Sequence, residues 1–66
     1  MKVNRVEKNA EIELGYDELL ILNAALNEVC NGIDAFEFET RVGASIAQVE
    51  VLMKGIQAVL DKIENR

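Results

Sequence analysis

The sequence predicts a mainly α domain of the α+β type. An N-terminal strand or hairpin precedes a hydrophobic helix, a short helix and a long amphipathic C-terminal helix. Three stretches carry this expectation. Ala10-Glu11-Ile12-Glu13-Leu14 alternates apolar and acidic residues with period two, the pattern of a half-buried strand. Leu19 to Asn27 holds no charged residue, although it sits in a run with helical spacing. Val49, Leu52, Ile56, Val59 and Ile63 repeat at a/d spacing, and Ser45-Ile46-Ala47-Gln48 ahead of them is a capping box.

Taken in chain order, Lys2 to Val6 is a second strand candidate, with Glu7-Lys8-Asn9 as the turn of a hairpin onto Ala10–Leu14. Gly15 punctuates, and Asp17 and Glu18 then fall in a first helical turn, where the helix dipole favours acids. This helix is expected from Tyr16 to Cys30, stopped by Asn31 and by Gly32 in a left-handed conformation. On a helical wheel Leu19, Leu22, Ala25, Leu26, Val29 and Cys30 form the core arc. Leu20, Asn23, Ala24, Asn27 and Asn31 form a neighbouring arc with two readings. It is either a mildly polar solvated face or a partner-contact face, where small Ala24 allows close approach and asparagine amides pair across an interface. Asparagine is a poor helix former, so three at one spacing invite an explanation, and both readings stay open. On the contact reading, Leu20→Lys or Ala24→Glu should disrupt assembly and spare the subunit fold.

Residues 34–43 admit two structures. Phe36, Phe38, Thr40 and Val42 alternate with charged residues as in a strand. Asp34 and Glu37 have capping-box spacing, and Gly43 is a possible helix stop. A short helix is preferred, because the next element follows too closely for a strand to pair. The last helix starts near Ile46, with Ile46, Met53 and Leu60 flanking its apolar stripe.

At 66 residues the chain makes a single small domain near the lower limit for independent folding. Proteins of this size use disulfides, metals or a partner subunit as staples. One cysteine, Cys30, and no histidine leave self-association as the available device, with no cofactor and no metal expected. The longest apolar run is Leu19 to Leu22, far short of the ~20 residues of a membrane span. Met1 to Val6 lacks the apolar core of a signal peptide, and a single free thiol fits a reducing compartment, so the cytoplasm is expected. Net charge is −5, and no basic residue falls between Lys8 and Arg41. That surface repels nucleic-acid phosphates and anionic membranes and attracts a basic protein partner.

Catalytic chemistry has few residues to draw on. Without histidine the usual general base is missing, and the glycines 15, 32, 43 and 55 are isolated rather than grouped in a phosphate loop. Cys30 falls on the core arc and reads as a small buried hydrophobe. Glu11 with Glu13, and Glu37 with Glu39, read as solvated faces or as shared carboxylates of an enzyme formed at a dimer interface. Thr40 to Val49 resembles the centre of a helix-turn-helix, in which Gln48 would face bases beside an unhelpful Glu50.

Leu26-Asn27-Glu28-Val29-Cys30-Asn31-Gly32-Ile33, followed by Phe38-Glu39-Thr40-Arg41-Val42-Gly43, resembles small bacterial proteins with an ALNE-VCNGI and EF-TR-G core and no assigned activity. The resemblance spans roughly Ile12 to Leu52. It implies that Asn27-Glu28 and the Thr40-Arg41-x-Gly43 joint are family features. On physical grounds Arg41 should pair with Glu28 or Glu37 and fix the short segment against the long helix. The expected function is that of a small acidic, non-enzymatic interaction protein, an adaptor, regulator or immunity-type inhibitor acting as a homo-oligomer. A DNA-binding regulator is the first alternative and a dimer-interface enzyme the second.

Overall fold

The computed structural model describes all residues from Met1 to Arg66. Strands β1 (Lys2–Val6) and β2 (Ala10–Glu13) precede helices α1 (Tyr16–Gly32), α2 (Ala35–Val42) and α3 (Ile46–Glu64). The mainly helical α+β architecture is the one the sequence predicts.

The strands form an antiparallel hairpin with the pairs Lys2↔Glu13, Val3↔Ile12, Arg5↔Glu11 and Val6↔Ala10. The register shifts between Val3 and Arg5, so Asn4 is the extra residue of a β-bulge. That bulge sorts the faces. Val3 and Val6 are three apart and would point to opposite sides of a regular strand, since side chains alternate. With Asn4 inserted, Val3, Val6, Ala10 and Ile12 share one face, and Lys2, Arg5, Glu11 and Glu13 share the other. The charged face is tied by Arg5 to Glu7 at 2.9 Å and to Glu11 at 4.0 Å.

Helix α1 starts without a side-chain cap at Gly15; instead the Glu18 carboxylate reaches back to accept the Gly15 N–H at 3.0 Å. The helix continues beyond Cys30 to Gly32, and Gly32 keeps a negative φ. The expected glycine stop is thus replaced by an extended Ile33 (φ −102°, ψ 131°). The reason is local: Asp34 must cap α2 at once, and the extended step half-buries Ile33 on the way.

In α2 the Asp34 carboxylate accepts the Phe36 N–H at 3.0 Å. Gly43, with φ 84°, ends the helix in the left-handed conformation and donates its N–H to the Glu39 carbonyl at 2.8 Å. The helix reading of 34–43 therefore holds, and it separates two phenylalanines that a strand would put on one face. Phe38 is 1% exposed and Phe36 94%. In α3 both halves of the predicted box form: Ser45 Oγ accepts the Gln48 N–H at 3.1 Å, and Gln48 Oε1 accepts the Ser45 N–H at 2.8 Å.

Helices α1 and α3 pack antiparallel, their ends joined by the Tyr16 hydroxyl donating to Glu64 Oε2 at 2.7 Å. The central cluster is Leu19, Ile56 and Leu60, with Leu14 and Leu26 against it. Two sequence expectations need correction. Leu22 and Ala25, assigned to the core arc of α1, are exposed, and Cys30 is only half-buried. Of the α3 stripe, Val49 and Ile56 are buried, whereas Leu52, Val59 and Ile63 are exposed. One helix can cover only one flank of so broad a stripe, and α1 takes the flank of Ile56 and Leu60.

Candidate functional site

An apolar cleft separates the hairpin from the helical layer. Ile12 projects from the hairpin toward the helices, and Leu14 continues from it into the central cluster. On one side of Leu14 a groove of about 490 Å³ is lined by Met1, Ile12, Glu18, Ile21 and Leu22. On the other side a groove of about 480 Å³ is lined by Ile12, Glu13, Leu19 and Val59. Leu52 and Ile63 extend the apolar surface along α3, both exposed.

Glu18 at the cleft and Glu13 at its rim, on the charged face of the hairpin, already have partners. Glu18 Oε2 accepts from the Met1 ammonium at 2.7 Å, and Glu13 Oε1 accepts from Asn4 Nδ2 at 3.1 Å. The ammonium, and secondarily the Gly15 N–H, hold the Glu18 carboxyl below its ordinary pKa. At the neighbouring helix ends the hydrogen bond to Glu64 raises the Tyr16 phenol above its own ordinary value.

Phe36 is a separate feature. It stands on the first turn of α2, at the opposite end of α1 from the cleft, beside the exposed acids Asp34, Glu37 and Glu39. Nothing in its own chain covers the ring.

The residues singled out in the sequence fall into three groups. Asn23 and Asn27 line the α1–α3 seam opposite the cleft, in a shallow polar depression shared with Glu50, Met53, Lys54 and Gln57. Asn23 Nδ2 donates to Gln57 Oε1 at 3.3 Å, Asn27 Nδ2 donates to the Asn23 carbonyl at 3.0 Å, and Gln57 Nε2 donates to Asp61 Oδ1 at 3.0 Å. These amides are therefore engaged within the chain. Leu20, Ala24 and Asn31 lie next to them and are exposed. The ion pair of Arg41 forms with Glu37 at 3.8 Å, within α2, while Glu28 makes no ion pair. It does not brace α2 against α1, because residues four apart on one helix meet each other first.

Gln48, the base-facing residue of the helix-turn-helix reading, has its amide folded back onto Ser45. Glu11 and Glu13 sit on the open charged face of the hairpin, and no three acidic or cysteine side chains converge. No helix is long and apolar enough to cross a membrane. No protein-family model, curated protein or solved structure matches the chain.

Sequence reasoning missed the exposed ring of Phe36 and the uncovered side chain of Val59. The first depends on the helical state of 34–43, which the sequence left open. The second had a visible signal, since the α3 stripe is wider than one partner helix can bury.

Proposed function

We propose that this protein is a small acidic protein-interaction module, an adaptor, regulator or immunity-type inhibitor, that works as a cytoplasmic homo-oligomer and grips a basic protein partner. The observation that carries this reading is the amount of apolar surface left uncovered. The chain exposes 5,392 Å², about 1,200 Å² more than the ~4,200 Å² of a compact 7.3 kDa chain. Among the side chains on that surface are Val3, Val6, Ile12, Leu22, Phe36 and Val59, all exposed, and clustered exposed apolar groups on a small body mark surfaces that meet another molecule. Phe36 supplies an anchor for the partner: aromatic residues dominate the energetics of interfaces. The acids around it, in a chain of net charge −5, steer a basic protein toward the ring.

The test is capture by the immobilised chain from the native host. A single basic protein, retained near stoichiometrically, released by salt and lost in Phe36→Ala, is the expected result. Recovery of nothing beyond further copies of the chain itself refutes the partner.

A further inference from the structure

We infer that the apolar cleft is closed by a second copy of this chain. The two-fold interface joins Val3, Val6 and Ile12 of each hairpin to Leu22, Val59 and Ile63 of the opposing helices. This takes up the self-association in the reading above and rests on it; it also moves the interface away from the asparagine arc of α1.

Area is the first argument. A stable dimer of standard size buries about 800 Å² from each partner. The surplus of about 1,200 Å² over a compact chain of this mass covers that requirement. The overall shape agrees with that surplus. The radius of gyration is 13.4 Å against roughly 11 Å for a compact chain of this length, and the thinnest dimension is 16 Å.

The hairpin is the second argument. An isolated two-stranded hairpin is marginal in water and needs a layer against its apolar face. Here Val3 is 56% exposed, Val6 69% and Ile12 46%, so its own helices leave that face open. The Asn4 bulge nevertheless places Val3 and Val6 on that same face, an arrangement without use if the face stays in water. Each copy thus carries both a projecting apolar hairpin and an open apolar cleft. A two-fold axis matches such a surface to itself, because every contact is then made twice.

Charge is the third. Two chains of net charge −5 repel each other, and contact through α2 would bring Glu37 and Glu39 toward their copies. At the cleft and its rim, Glu18 and Glu13 are already bonded to the Met1 ammonium and to Asn4. The cleft therefore joins two acidic chains without placing an unpartnered carboxylate in the contact.

Leu20 and Leu22 provide a matched test. They lie two residues apart on α1, hence about 160° apart around it. They are 40% and 38% exposed, so a charge costs each subunit nearly the same. Light scattering and sedimentation should give twice the 7.3 kDa chain mass for the unaltered protein. Leu22→Glu should raise the dimer Kd at least about 30-fold, the scale of a lost interface anchor. Leu20→Glu should leave it within about threefold, with circular dichroism confirming helix in both. If either variant unfolds, isotope-filtered NOEs in a mixed sample of labelled and unlabelled native chain replace it. Intermolecular NOEs linking the Val3 and Val6 methyls to those of Leu22 and Val59 are expected.

A monomeric native chain overturns the inference. So does dissociation by Leu20→Glu alone, or intermolecular NOEs confined to Leu20 and Ala24. A monomer that still captures a basic partner through Phe36 refutes this interface and the homo-oligomer, and leaves the partner-binding half of the proposed function standing. A dimer of this geometry that captures no other protein does the reverse.

Discussion

Phe36 and Phe38 stand two residues apart on one short helix, and their energetic roles are opposite. Phe38 is 1% exposed and Phe36 94%. Truncating a buried phenylalanine costs about 3–5 kcal/mol, counting transfer and cavity together. A chain of 66 residues has roughly 3–10 kcal/mol of total stability. Phe38→Ala should therefore leave much of the protein unfolded at room temperature, read by the loss of helical circular dichroism. Phe36→Ala should shift the stability of the chain by less than about 0.5 kcal/mol, measured by urea unfolding. An equal loss in both would place Phe36 in a buried contact. The alternation of apolar and charged residues in 34–43 was legible in the sequence, but its meaning was not. Only the Asp34 cap and the left-handed Gly43 decide that the two rings point apart.

At the level of elements, local chemistry sets the boundaries and electrostatics attach the hairpin. The Met1 ammonium on Glu18 fastens β1 to the first turn of α1. Because the folded state lowers the Glu18 pKa, the carboxylate favours folding while it is ionised in both states. That contribution declines once the pH drops under the ordinary value of 4.5, and it is gone below the lowered folded value. Thermal melts of the native chain and Glu18→Gln should accordingly differ most at neutral pH and converge in acid. A difference that grew on acidification would refute the attachment. The elements themselves were readable: the hairpin, Ser45–Gln48 and Gly43 each rest on residues within a few positions of one another. The end of α1 was less so, since Gly32 has the right identity for a stop but lies one step before an extended Ile33.

The whole molecule is a thin layer of helices with a hairpin standing off it, and only five of its residues are buried. Such a body gains its remaining stability by association. A ligand that binds only the folded state raises the melting temperature by mass action, and a second copy is such a ligand. The melting temperature should thus rise with protein concentration in calorimetry, and this rise should be smaller for Leu22→Glu than for Leu20→Glu. A melting temperature independent of concentration would contradict an assembly that contributes to stability.

The sequence by itself determined the element order, the two apolar stripes, the caps and the acidic balance, because each depends on spacing along a single segment. It also marked the chain as short of core. Which flank of each stripe becomes core was decided only in three dimensions. The wheel puts Leu22 in the core arc of α1 and Leu20 on the arc beside it, yet both are exposed, and spacing alone does not say which flank will face a cleft. The antiparallel docking of α3 makes that choice. It draws Asn23 into a hydrogen bond with Gln57 and leaves Leu22 and Val59 on the opposite side, beneath the hairpin.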